Sequence, residues 1–194
     1  MLKFYKKIIS DDTADAIYHA IMGKFFKDPD RSYEHKNPAT NFHSFGFMNV
    51  TETFIEIERI KNIIKEDFGD GYEFTHTYSR IYPDNSILNP HIDREGLDLT
   101  LTVNVFNNPD NQWPILFSKV PISKELINDT ESTIGYSNTS YTILKEYLDD
   151  YETIITDKGD GACCTREVVH WRERFKIKYE GEHYVQVFYH WKKI

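Results

Sequence analysis

The sequence predicts an α+β chain in which two amphipathic helices precede a double-stranded β-helix (jelly-roll) or similar two-sheet sandwich. Three observations predict it. Apolar residues recur at helical spacing as far as Phe68, and from Tyr72 the pattern changes to period two. Short extended segments then alternate with tight polar turns to the end of the chain. A length of 194 residues suits one domain, large enough to bury a core without staples, and no internal repeat or linker divides it.

Residues 1–9 read as a short strand. Ser10-Asp11-Asp12-Thr13 offers helix N-caps before Ala14, Ile17, Ala20, Ile21 and Phe25, which fall on one helical stripe. Residues 27–50 are loop-like, with an edge strand expected at Phe42 to Met48. The second helix is signalled by the capping box Thr53-x-x-Glu56 and the stripe Phe54, Ile57, Ile60, Ile64 and Phe68, and Gly69 stops it.

His76, Tyr78, Arg80 and Tyr82 then fall on one face of a single strand. In the next strand, Leu97 to Phe106, Leu99, Leu101, Val103 and Val105 alternate with Thr100, Thr102 and Asn104. A turn at residues 107–111 leads into a return strand, Trp113 to Val120. Residues 121–150 break the rhythm, with one helix expected from about Thr139 to Tyr151, and an insertion here can act as a lid or recognition element. Strands resume at Thr153 to Thr156, Ala162 to Thr165, Val168 to Arg172 and Glu182 to Trp191. The expected organisation is helical support over 1–70, a β core over 72–120 and 152–194, and an insertion over 121–151.

Composition excludes several classes. The 40% hydrophobic and 15% aromatic content is that of a folded protein. A net charge of −8 argues against general nucleic-acid binding, which needs a basic footprint. Residues 165–194 carry seven Lys/Arg against four Asp/Glu, so a basic end suits a small anionic ligand there. No run of 18 apolar residues exists to span a membrane, and no signal peptide is evident at the start. Cys163 and Cys164 are adjacent, so in a strand they point to opposite faces and no disulfide is expected. A reducing cytoplasm is the expected location.

The most informative stretch is Ser79 to Asp93, read as a strand end, a turn rich in Pro, Asp and Asn, and a re-entry presenting His91 and Asp93 on one side of an extended chain. Imidazole beside carboxylate makes two good ligands for a divalent metal. With 8 His in 194 residues, a His-x-Asp arises by chance nearly once, so context must decide. That context is the turn Gly159-Asp160-Gly161 between two strands, followed within ten residues by His170.

In this order and spacing the sequence resembles the 2-oxoglutarate (2OG) and iron(II)-dependent oxygenases, particularly the prolyl 4-hydroxylase-like branch and its phage and bacterial members. The resemblance runs from the helical N-terminus through Arg80-x-Tyr82, His91-x-Asp93, Gly159-Asp160-Gly161 and His170-Trp171-Arg172-Glu173 to Val185-Gln186-Val187-Phe188-Tyr189-His190. It implies a cupin-like core and an iron(II) site of His91, Asp93 and His170. Two imidazoles and one carboxylate hold one face of such an ion and leave three positions for two oxygens of 2OG and dioxygen. It also implies oxidative decarboxylation of 2OG to succinate coupled to hydroxylation of a C–H bond, in a peptidyl residue such as proline or in a small metabolite.

The remote carboxylate of 2OG needs a cation and hydroxyl donors. In the family a tyrosine on the strand before His-x-Asp often helps, which Tyr82 matches, with Tyr78 and Arg80 on the same face in reserve. The family's usual cation, an Arg or Lys about ten residues after the second His, is replaced here by His183. Arg172 is the alternative, because a residue two beyond His170 on extended chain faces the same side, and Arg174, Lys176 and Lys178 follow. His76, His190 and the three Trp read as structural. Rival readings are a non-catalytic cupin-like module that binds a ligand or a protein, and a metal enzyme needing no oxoacid.

Overall fold

The computed structural model describes residues 1–27, 33–34, 44–123 and 148–194. In chain order these form β1 (Leu2–Tyr5), α1 (Asp11–Lys27), β2 (Tyr33–Glu34), β3 (Phe45–Met48), a 3₁₀ turn (Thr51–Phe54) and α2 (Ile57–Phe68). The β region follows as β4 (Tyr72–Tyr82), β5 (Leu88–His91), β6 (Leu99–Phe106), β7 (Ile115–Ser118), β8 (Tyr151–Ile154), β9 (Gly161–Thr165), β10 (His170–Arg172) and β11 (Tyr184–Lys193). The strands make a seven-stranded sheet in the order β1-β9-β6-β11-β4-β3-β2 and a four-stranded sheet in the order β5-β10-β7-β8. Every pairing is antiparallel. Two such sheets facing each other, with helices on the larger one, form the double-stranded β-helix that the sequence predicts.

The helices cover one face of the large sheet. Ile17, Ile21, Ile60 and Ile64 are buried with Leu99, Leu101, Val103, Val105, Val185, Val187 and Tyr189. Ser10 caps α1, its Oγ accepting the Thr13 N–H at 3.1 Å. A cap is worth about 1 kcal/mol and each buried isoleucine about 1.5–3 kcal/mol, so packing holds the helix in place.

α2 differs from expectation. Thr53 lies in the preceding 3₁₀ turn, where its buried hydroxyl donates to Val50 O at 2.6 Å and meets Thr77 Oγ1 of β4 at 2.7 Å. Glu56 is the residue before the helix, and no side chain caps it. Its carboxylate instead accepts the Ser10 N–H at 2.8 Å and pairs with Arg59. The predicted capping box is therefore two tertiary ties, one to β4 and one to the head of α1. The stop at Gly69 is as expected, with φ 85° and its N–H donated to Lys65 O at 2.9 Å.

The other face of the large sheet is the inner one. Polar Thr100, Thr102 and Asn104 are as buried as their apolar neighbours, because β6 is covered on both sides. Inner-face residues of the two sheets meet in two clusters. Ile115, Phe117 and Ile154 pack with Ala162 and Cys164, and Tyr82 and Tyr184 pack with Trp113 and Phe175. Cys163 lies in the helix-side core instead, and both thiols are free.

Several boundaries shift. β1 ends at Tyr5, the return strand is Ile115–Ser118, and β8 begins at Tyr151, where the expected helix would have ended. Residues 148–150 are bends. The rest of that helix, the body of the expected lid and positions 42–43 of the expected edge strand lie outside the described residues. Among the described residues no helix is long and apolar enough to cross a membrane.

Candidate metal centre and co-substrate pocket

The pairing of β5 with β10 sets two imidazoles side by side. His91 ends β5, His170 begins β10, and the two are register partners with ring centroids 4.2 Å apart. Asp93 lies just past β5, on the same side as His91. The ligand atoms of His91, Asp93 and His170 all fall within 4.8 Å of one another, and His170 Nε2 stands 4.0 Å from Asp93 Oδ1.

Local backbone fixes how the imidazoles present themselves. His91 Nδ1 is 2.9 Å from Asn89 O, and His170 Nδ1 is 3.1 Å from Val168 O. A carbonyl only accepts, so each ring in its neutral form carries its proton on Nδ1 and offers the Nε2 lone pair. Burial, reinforced by His170, pushes His91 down to about 4, so it is neutral near pH 7. Burial works to raise the Asp93 carboxyl, but His170, His91, His190 and the Thr100 hydroxyl outweigh it and hold the group below its usual range. Two imidazole nitrogens and one carboxylate oxygen are a donor set suited to a divalent first-row metal.

Arg172 shares the inner face of β10 with His170 and is 1% exposed. Its guanidinium lies between the rings of Trp113 and Tyr184, at 4.8 and 5.0 Å from their centroids. Nη1 donates to Trp113 O, and Nη2 donates to Gln186 Oε1 at 3.0 Å. Arg172 Nε and Gln186 Nε2 are buried donors without an acceptor, and among the described residues no carboxylate pairs with Arg172. An unmet buried donor costs about 1–3 kcal/mol, and a buried charge more. An acceptor-only anion such as a carboxylate fits both donors at once.

Tyr82 belongs to this cluster, wholly buried, with its ring edge against Trp113 at 5.0 Å. Burial pushes its phenol up to about 12, so it remains a donor. Tyr184 Oη lies 3.0 Å from Thr156 Oγ1. Tyr78 is on the same face of β4 but toward the β3 edge. Its ring carries the Arg80 guanidinium at 5.1 Å and its phenol sits over Gly46, where a β carbon would meet Oη at 1.9 Å.

The structure does not bring His183 to this pocket. β11 begins at Tyr184, and alternation sends Tyr184 and Gln186 inward and His183 to the helix side. There its ring stacks on Phe106 at 5.0 Å, and Nε2 accepts from Tyr18 Oη at 3.2 Å. Arg174, Lys176 and Lys178 are exposed on the β10–β11 connection. Gln186, Trp113 and Thr100 escaped the sequence reading as site residues. The one available signal was polarity, a glutamine in an apolar strand and threonines on a face that proves buried.

No protein-family model matches the sequence, and no curated protein is found similar to it. Solved structures are similar in fold. The viral collagen prolyl hydroxylase of Paramecium Bursaria Chlorella virus-1, as its 2OG complex, aligns with TM-score 0.63 at 12% identity, covering 100% of this chain and 96% of that one. The non-heme alpha ketoglutarate dependent carbocyclase SnoK from nogalamycin biosynthesis gives 0.73 at 10%, covering 99% and 79%. HygX from Streptomyces hygroscopicus, with nickel and 2OG bound, gives 0.60 at 9%, covering 99% and 82%. At these identities the likeness is one of fold, the double-stranded β-helix common to these oxygenases.

Proposed function

We propose that this protein is a 2OG- and iron(II)-dependent oxygenase that hydroxylates a peptidyl residue, proline among the candidates, or a small metabolite. The observation that carries the reading is Arg172, a buried guanidinium with an unmet donor, two residues beyond His170 on one face of β10. Nε2 of His91, Nε2 of His170 and a carboxylate oxygen of Asp93 would hold the iron. The bound iron would couple decarboxylation of 2OG to succinate and carbon dioxide with transfer of one oxygen atom of dioxygen into a substrate C–H bond.

The chain's own residues bind and orient. Arg172 and Gln186 receive the remote carboxylate of 2OG, with Tyr82 beside them, while Trp113 and Tyr184 cover the guanidinium and exclude water from the ion pair. One strand repeat, roughly 6.6–6.8 Å, separates same-face residues, which suits a five-carbon diacid reaching from the metal to Arg172. The fold likeness to a viral collagen prolyl hydroxylase supports a peptidyl substrate, and the likeness to the nogalamycin and HygX structures supports a small one. We assign the whole chain to one oxygenase domain, with 121–151 as the recognition insertion. The two free thiols suit a reducing cytoplasm. The complete His91, Asp93 and His170 donor set favours an enzyme over a non-catalytic binding module.

The test is succinate formation by the iron-loaded protein supplied with 2OG, oxygen and a panel of prolyl peptides and amino acids. Succinate that depends on iron and is lost in His91→Ala is the expected result. Tight 2OG binding without succinate under any condition would overturn the reading.

A further inference from the structure

The chemistry left over beside the metal centre lies on β6 and β11. Thr100 Oγ1 donates to Asp93 Oδ2 at 2.6 Å and stands 3.1 Å from His190 Nδ1. A carboxylate only accepts, so the threonine proton lies toward Asp93, and the contact with His190 must be donated by the imidazole Nδ1–H. The hydrogen bonds therefore run one way, from imidazole to hydroxyl to carboxylate. Thr100 is 3% and His190 6% exposed, and His190 is packed between Phe188 and His76 at ring distances of 6.1 and 4.8 Å. Arg166 Nε holds Asp93 O at 3.0 Å, so the backbone is pinned at the same point. Oδ2 is thereby engaged while Oδ1 faces His170 Nε2 at 4.0 Å.

We propose that His190 and Thr100 are positioning residues that hold Asp93 to coordination through one oxygen, keeping Oδ2 out of the positions an incoming ligand needs. The inference rests on the metal site assigned above. Two imidazoles and a one-oxygen carboxylate leave three of six positions open, and a carboxylate that turned to bind through both oxygens would leave two. A chelating oxoacid together with dioxygen needs three. Loss of the threonine hydroxyl should therefore weaken oxoacid binding more than metal binding.

Two measurements test this. In the metal-free protein, long-range proton–nitrogen spectra of the histidine rings should show His190 protonated on Nδ1, and an Nε2–H ring would overturn the proposal. In the cobalt(II)-loaded protein, Thr100→Val should lower the affinity for 2OG about 10–100-fold, with a smaller loss for cobalt, and Thr100→Ser should recover most of it. Equal 2OG affinity in wild type and Thr100→Val would also overturn it. Should Thr100→Val fail to fold, His190→Phe keeps a ring, removes the donor and is expected to weaken 2OG binding in the same direction. A wild type that takes up no cobalt would sink the metal site itself, while the His190 tautomer would still decide the relay.

Discussion

His170 and Arg172 occupy one face of β10 a single strand repeat apart, the first in the candidate metal centre and the second buried between Trp113 and Tyr184. A lone guanidinium in such a place is expensive unless an anion arrives. The relationship makes β10 the link between the candidate metal centre and the proposed co-substrate pocket.

Arg172→Met should therefore separate stability from binding. Without 2OG the variant should unfold within about 1 kcal/mol of wild type, since it loses an unpaired charge along with two hydrogen bonds. Wild type loaded with metal should gain about 2.7 kcal/mol at 2OG one hundredfold above its Kd, and the variant should gain nothing. Denaturant melts with and without 2OG measure both, and an undiminished gain in the variant would move the carboxylate elsewhere.

The two tyrosines of β4 should behave differently. Tyr82→Phe removes a donor from the Arg172 cluster and should weaken 2OG binding by about 1 kcal/mol, roughly fivefold. Tyr78→Phe should leave it within twofold. Gly46→Ala, which drives a β carbon to 1.9 Å from Tyr78 Oη, should displace that side chain while sparing 2OG affinity. Calorimetric titration of the metal-loaded variants distinguishes these outcomes.

The metal-free protein should lose stability in two steps as pH falls. Burial holds His91 and His190 at about 4 in the folded state, below the ordinary 6.5, so the unfolded chain takes up protons first. Stability is lost from about pH 6.5 down to about 4, at up to about 1.4 kcal/mol per pH unit for each group. Asp93 has the other sign of chemistry and the same direction of loss. Its lowered carboxyl contributes stability above the ordinary carboxylate range that disappears as pH falls further. Urea melts between pH 7 and 4 should show a slope that His190→Phe reduces.

Much of this was legible in the sequence because it depends on local pattern. The stripe on α2, the alternation of β6 and the spacing of His91, Asp93 and His170 need no tertiary knowledge. The Gly159-Asp160-Gly161 turn is equally local in signal, although its work is distant. A β carbon on Gly159 would meet Ile9 O at 2.6 Å, and Asp160 accepts the Lys7 N–H at 3.0 Å, so the turn anchors the N-terminal segment.

What escaped depends on partners far apart in the chain. Thr53 and Glu56 carry the letters of a capping box, but Thr77 and Ser10 compete for them from other elements. His183 is singled out by its distance from His170, but Val185 lies in the helix-side core, and alternation puts His183, two residues earlier, on that side as well. Gln186 becomes a site residue only when β11 lies across from β10, which sequence spacing does not reveal.

The most direct test is anaerobic titration of iron(II) and then 2OG into the metal-free protein, following the visible charge-transfer absorption of an iron-chelated oxoacid. The band should appear in wild type, be absent in His91→Ala, and need far more 2OG in Arg172→Met. Iron binding with no band at any 2OG concentration would contradict the account and leave an oxoacid-independent metal site in its place.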